Sequence, residues 1–213
     1  MHKHLYLSLA LAAILLFACQ PPVTFTEPQP KDVDALTGFP KRIQGKYLSA
    51  EDSSFLQITE NSMIRMFDFN QKLHLSQLDS TQQIIGDTLF DLKTNIGQLI
   101  QIEGDSIVMH VNEIDTLFNI NAQNVLKKFK GYYFVNILTP PDSWQVKKLE
   151  FSRGKFILSS ISPEEDLAQL KELSESTQDT APYVFSLSRK QFKKFVREEG
   201  FRDSEEFLKI SNQ

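Results

Sequence analysis

From Gly45 to Ser160 apolar residues recur at every second position in short runs, the spacing that sends one face of a β-strand inward and the other outward. The runs "SFLQI", "SMIRMFDF", "KLHLSQL", "TLFDL", "IGQLIQIEG", "SIVMHV" and "TLFNI" read as strands. Turn sequences such as "EN", "GD", "TN", "EGDS" and "NEID" separate them. "SWQVKKLEF" and "FILSS", joined by "SRGK", continue the series, and Gly104 with Asp105 marks a hairpin. Links this short predict antiparallel neighbours, because a parallel crossover needs about a dozen residues. The expected fold is mainly β: an antiparallel meander whose edges are hidden in a curled sheet, a barrel or a sandwich.

Beyond Ser160 the period changes and an α+β portion follows. Ser162, Pro163 and Glu165 read as an N-cap, a first-turn proline and a capping-box partner for a helix that places Leu167, Leu170 and Leu173 on one face. Its neighbours Glu164 and Asp166 read as solvated helix-start charges. "YVFSL" is a strand. Ser188 then caps a second helix, with Gln191 as box partner and Leu187 placed against Phe192. That helix sets Phe192, Phe195 and Val196 on one side and Lys190, Lys193, Lys194 and Arg197 around the rest, a pattern that fits packing on the sheet. Gly200 ends it, and "EFLKI" is a last strand.

Two features suggest related lobes. "FPKRIQGKYLS" from Phe39 aligns with "VLKKFKGYYFV" from Val125, matching Gly45 with Gly131 and Tyr47 with Tyr133. Charge divides the same way: residues 50–120 hold eleven acids and three bases, whereas 121–155 hold seven bases and two acids. The expected division is an acidic β-rich lobe over 39–124 and a second lobe over 125–213. The sharp change of sign makes Lys127, Lys128, Lys130, Lys147 and Lys148, with Trp144 beside them, a candidate binding surface, although solvated faces of opposite charge give the same count.

The amino terminus carries the most specific signal. A basic start, "MHKH", precedes an apolar run from Leu5 to Ala18, 14 residues against the roughly 20 that span a bilayer. The run ends at Cys19, the only cysteine in the chain, and Pro21 and Pro22 terminate any helix there. This is the layout of an export signal. Leu16, Phe17, Ala18 and Cys19 resemble the lipobox of bacterial lipoproteins, with Phe17 in place of the usual small residue. The resemblance implies removal of residues 1–18 as a signal peptide, lipidation of Cys19 and attachment to a membrane. Gln20, where an aspartate commonly marks inner-membrane retention in that family, implies the outer membrane, facing the periplasm. Residues 19–38, rich in proline, are expected to form an extended tether, with Val23, Phe25 and Leu36 apolar enough to pack on the domain instead.

Chemistry is sparse by comparison. The expected mature chain holds two histidines, His74 and His110, both in strands, which make a poor metal site, and no metal or cofactor is expected. Ser152 and Lys155 fit Ser-x-x-Lys, but they fall in a hairpin turn rather than at a helix start. No enzyme activity is therefore expected. Nucleic acid is excluded as a partner for an exported, acidic chain. Two functions remain: a lipid-anchored module that binds another envelope component, and a carrier of lipid or other apolar cargo. For the second, Gly45, Lys46 and Tyr47 resemble the Gly-x-Trp start of lipocalins, with tyrosine in place of tryptophan. An enclosed apolar cavity of about 300 Å³ or more would favour the carrier.

Overall fold

The alternating runs form fifteen strands, seen in a computed structural model that describes residues 23–176 and 180–210. In chain order they are β1 (Thr24–Phe25), β2 (Ala35–Leu36), β3 (Gly45–Ser49), β4 (Phe55–Ile58), β5 (Ser62–His74), β6 (Gln82–Ile85), β7 (Thr88–Asp91), β8 (Ile96–Glu103) and β9 (Ser106–Asn119). Then come β10 (Asn124–Phe129), β11 (Tyr132–Thr139), β12 (Ser143–Ser152), β13 (Lys155–Ser160), helix α1 (Pro163–Ser174), β14 (Val184–Phe185), helix α2 (Arg189–Arg197) and β15 (Asp203–Lys209). They build one sheet in the order β2-β10-β11-β12-β13-β15-β3-β4-β5-β9-β8-β7-β6, with β1 and β14 branching from β12. Of the three ways to hide edges, the chain adopts the curled sheet, and it does not close into a barrel.

The carboxyl-terminal β15 lies between β13 and β3 and joins the two halves of the sheet. Tyr47, Leu56, Ile58, Met63 and Phe118 from the first half share one apolar cluster with Leu126, Tyr133, Leu149, Phe156 and Phe207. The division expected at residue 124 thus runs through a common core. The internal echo survives in part. Gly45 and Gly131 both take positive φ, 139° and 94°; Gly45 is the first residue of β3 and Gly131 the turn residue just before β11, and each strand opens a three-stranded meander. Tyr47 and Tyr133 meet the same Phe151 ring edge-on, with centroids at 6.2 and 5.9 Å. Upstream the copies differ: Lys41–Ile43 is a 3₁₀ turn, whereas Val125–Phe129 is strand.

Alternation gives β10–β13 a second buried face, and the helices cover it. Phe134 and Val146 pack there against Leu170 and Leu173 of α1, Phe192 and Phe195 of α2, and Phe201. Ser188 and Gln191 close the predicted reciprocal box, whereas at α1 Ser162 Oγ accepts from Glu165 N but the return bond expected from the Glu165 side chain is made by Asp166 instead. Asp166 departs from its expected solvent-facing role. It is fully buried, its Oδ2 accepts from the backbone N–H of Ser162 (2.8 Å) and Arg202 (3.1 Å), and Oδ1 receives the Arg202 guanidinium at 2.6 Å.

Of the two readings of residues 19–38, the structure from Val23 onward shows the one in which Val23, Phe25 and Leu36 pack on the domain, not a free extended tether. Val23 and Phe25 are buried, β1 pairs with β12 and β14, and β2 pairs with β10. Gln29 is buried too, its N–H donating to Asn136 Oδ1 at 2.6 Å. Leu16, Phe17, Ala18 and Cys19 lie outside the described residues.

Two strands are longer than their sequence suggests. "SMIRMFDF" and the first three residues of "KLHLSQL" merge into β5, the rest of that run forming a 3₁₀ turn at Leu75–Gln77 instead of the expected strand. "SIVMHV", "NEID" and "TLFNI" merge into β9, paired with β5 from Ser62↔Asn119 to His74↔Ser106. Neither segment holds a glycine or proline to break it, so polar residues simply continue the ladder. The far part of this ribbon, extended by β6–β8, is an arm with its own small core of Leu89, Ile100, Ile107 and Met109. His74 and His110 sit four ladder positions apart there. Each has its own carboxylate, Asp105 at 2.9 Å and Asp68 at 3.6 Å.

Candidate functional site

The candidate lysines alternate along β10 and β12, and alternation splits them between the two faces of the sheet. Lys128 and Lys147 lie opposite Tyr133 and Val135, on the side of the curl. Lys127 and Lys148 both lie opposite Phe134, on the side of the helices. The single basic surface expected from composition does not form.

Their roles divide as well. Lys127 is buried, and its ammonium donates to the carbonyls of Pro28 and Pro30, each at 2.9 Å. It fastens the amino-terminal segment to the sheet. Burial lowers its pKa, while Glu27, Asp32 and Asp34 oppose that shift. Trp144, half-buried, faces Phe25 of β1 in the ladder. Lys130 occupies a left-handed position, φ 52°, in the tight turn between β10 and β11.

Lys130 and Lys148 are the two that meet, in a cleft of about 720 Å³ between the sheet and α2. Its floor is the helix-side row of β12, β13 and β15: Lys148 and Glu150, Ile157 and Ser159, and Ser204. Its walls include Phe129 and Tyr132 on one side and Lys193, Val196 and Arg197 of α2 on the other, with Phe201 and Arg202 beyond. Gly200 makes this wall possible. A Cβ there would stand 2.4 Å from the buried Phe195 ring, so only glycine lets the chain cross it and seat Phe201.

Lys148 is the unusual group in the cleft. It makes no ion pair among the described residues, and its nearest aromatic neighbours are Tyr132 and Phe201, 5.4 and 5.9 Å from the ammonium to the ring centroids. Burial lowers its pKa, opposed by Asp166 and by Glu150 and Glu199, which line the same cleft. Arg202 is engaged by Asp166 and Arg197 by Glu198, at 3.3 Å, so both add less net charge than Lys130 and Lys193. The arrangement attracts an anion flanked by apolar or aromatic groups: the ammonium has lost part of its water without gaining a carboxylate.

A stability test follows. Lys148→Met should keep the stem's packing, remove the desolvated charge and raise stability by about 0.5–1 kcal/mol, discounted for the exposed end, or roughly 2 °C in melting temperature. The sign is fixed by linkage. With the folded pKa below 10.5, the unfolded chain binds more protons in the window between the folded and unfolded values. Wild-type stability therefore gains a contribution from this site as pH rises through that window, and Lys148→Met should lack it in melts across alkaline pH.

Lys193, Arg197, Tyr132 and Phe201 were not among the candidate binding residues. The basic back of α2 was the available signal, since its lysines exceed what a packed helix needs. Comparison with family models, with curated proteins and with solved structures finds no match for this chain.

Proposed function

We propose that this protein is a lipid-anchored binding module of the bacterial cell envelope that holds an acidic segment of another envelope component in the cleft between its sheet and α2. Lys148 carries this reading: a half-buried ammonium with aromatic neighbours and no ion pair among the described residues, in a cleft where Lys130, Lys193, Arg197 and Arg202 outnumber Glu150 and Glu199. The membrane enters through Cys19 and its lipobox resemblance. On that reading the body stands at the outer membrane, facing the periplasm.

Binding is favoured over catalysis because cations outnumber the two carboxylates of the cleft, Glu150 and Glu199, and two of those cations, Arg197 and Arg202, keep their charge at any working pH. Ser152 and Lys155 face each other across a turn with Arg153 and Gly154 at positive φ, and Lys155 is held by Glu206. The carrier reading has less support. Tyr47, Tyr133, Phe156 and Phe207 fill the inside of the curl, and the hollow at its mouth measures about 180 Å³, lined by Arg42, Arg153, Lys155 and Lys209.

The test is titration of the purified protein with a glutamate-rich peptide containing phenylalanine, followed by NMR signals of Tyr132 and Phe201. Saturable shifts are expected, and Lys148→Glu should weaken binding about tenfold or more. Equal affinity in the variant would contradict the assignment of the cleft.

A further inference from the structure

On the other face of the sheet, at the mouth of the curl, cations from four elements converge where acids are scarce. Arg42 comes from the 3₁₀ turn before β3, Arg153 from the β12–β13 turn, Lys155 from the first position of β13, and Lys209 from the end of β15. Lys155 is paired with Glu206. Arg42, Arg153 and Lys209 have no carboxylate partner among the described residues. Arg42 donates to Tyr133 Oη at 3.1 Å, and Lys209 donates to the Arg42 carbonyl at 3.2 Å with its ammonium 5.6 Å from the Tyr47 ring centroid. Lys128 adds a fifth positive charge nearby, 5.7 Å from the Tyr133 ring centroid. In a chain of net charge −4 this local excess of positive charge, held in place by the Arg42 and Lys209 hydrogen bonds, is relieved by an anion among them.

We propose that this mouth is a binding site for a phosphate monoester, distinct from the cleft on the helix side. The hollow, about 180 Å³, is smaller than the roughly 300–1,000 Å³ of pockets that enclose whole ligands, and fits a charged head with the rest of the ligand outside. Three unpaired cations match a dianionic, multi-oxygen group better than a single carboxylate. The Arg42 guanidinium presents a planar fork to phosphate oxygens, and the Tyr133 hydroxyl, which accepts from Arg42, keeps its own proton to donate. Trp144, opposite β1, and Ser152, at the mouth, are eight residues apart on β12, about 27 Å along the strand. The mouth therefore opens at the far end of β12 from the amino-terminal segment.

The test places the full protein in nanodiscs of zwitterionic lipid and follows the amide signals of Gly131, Arg153 and Gly154 by NMR. One arm titrates inorganic phosphate and glycerol phosphate, with acetate as control. A second uses discs doped with phosphatidic acid. Phosphate-dependent shifts that acetate does not reproduce, weakened about tenfold by Arg42→Gln with Lys209→Gln and unchanged by Lys148→Met, support the site. Shifts confined to the first arm assign a soluble ester, and shifts that need phosphatidic acid assign a lipid headgroup. No shift in either arm, equal shifts with acetate, or shifts that persist in the double variant overturn it.

Discussion

Replacing Asp166 by alanine should cost about 3–4 kcal/mol, near 10 °C in melting temperature, although its neighbours Glu164 and Glu165 tolerate the same change within about 0.5 kcal/mol. The difference is one of position. Asp166 is fully buried under the start of α1, where it serves the N–H groups of Ser162 and Arg202 and the Arg202 guanidinium at once. Alanine leaves two backbone donors without their acceptor and frees a cation from its partner. Arg202 would then turn into the cleft, so the variant should also bind anionic peptide differently. Asp166→Asn, which keeps an acceptor but loses the charge, should recover part of the loss. Denaturant unfolding of the four variants checks the order, and equal stability of Asp166→Ala and wild type would refute the buried network.

Asn136→Ala is expected to cost about 2–3 kcal/mol and to release the amino-terminal segment to proteases. Asn136 is completely buried on the helix side of β11. Its oxygen takes the Gln29 N–H at 2.6 Å, and its amide donates to the carbonyls of Val125 and Phe134 at 3.2 and 3.3 Å. Lys127 reaches the carbonyls on either side, Pro28 and Pro30. These two side chains fix the amino-terminal segment, so cleavage between residues 26 and 38 should rise sharply in the variant. Limited proteolysis with mass mapping reads this directly. A segment as resistant as in wild type would show that β1 and β2 pairing alone holds it.

Most strands and both helices were legible in the sequence because their signals are local. The β10–β11 and β12–β13 turns hold Lys130–Gly131 and Arg153–Gly154 at positive φ, and Ser188 with Gln191 specifies a helix start within four residues. What stayed hidden depends on partners distant in the chain. Nothing in "PEED" distinguishes Asp166 from its acidic neighbours until Arg202, 36 residues on, folds against it. The prolines of residues 21–40 suggest an extended tether, and its docking is set by Asn136 and Lys127, about a hundred residues away. Alternation alone would have separated Lys127 from Lys128 and Lys147 from Lys148. That α2 lies over Lys148, and that β15 inserts beside β3, are matters of topology, which a run of short strands does not encode.

In-cell photocrosslinking from the cleft wall tests the central claim of a tethered module holding an acidic partner. A photoreactive residue at position 196, in place of Val196, should give one discrete envelope adduct. That adduct should disappear with Lys148→Glu, and again with Cys19→Ser once the chain no longer reaches the membrane. An adduct that persists in both variants, or a chain that crosslinks to nothing in the envelope, would contradict it.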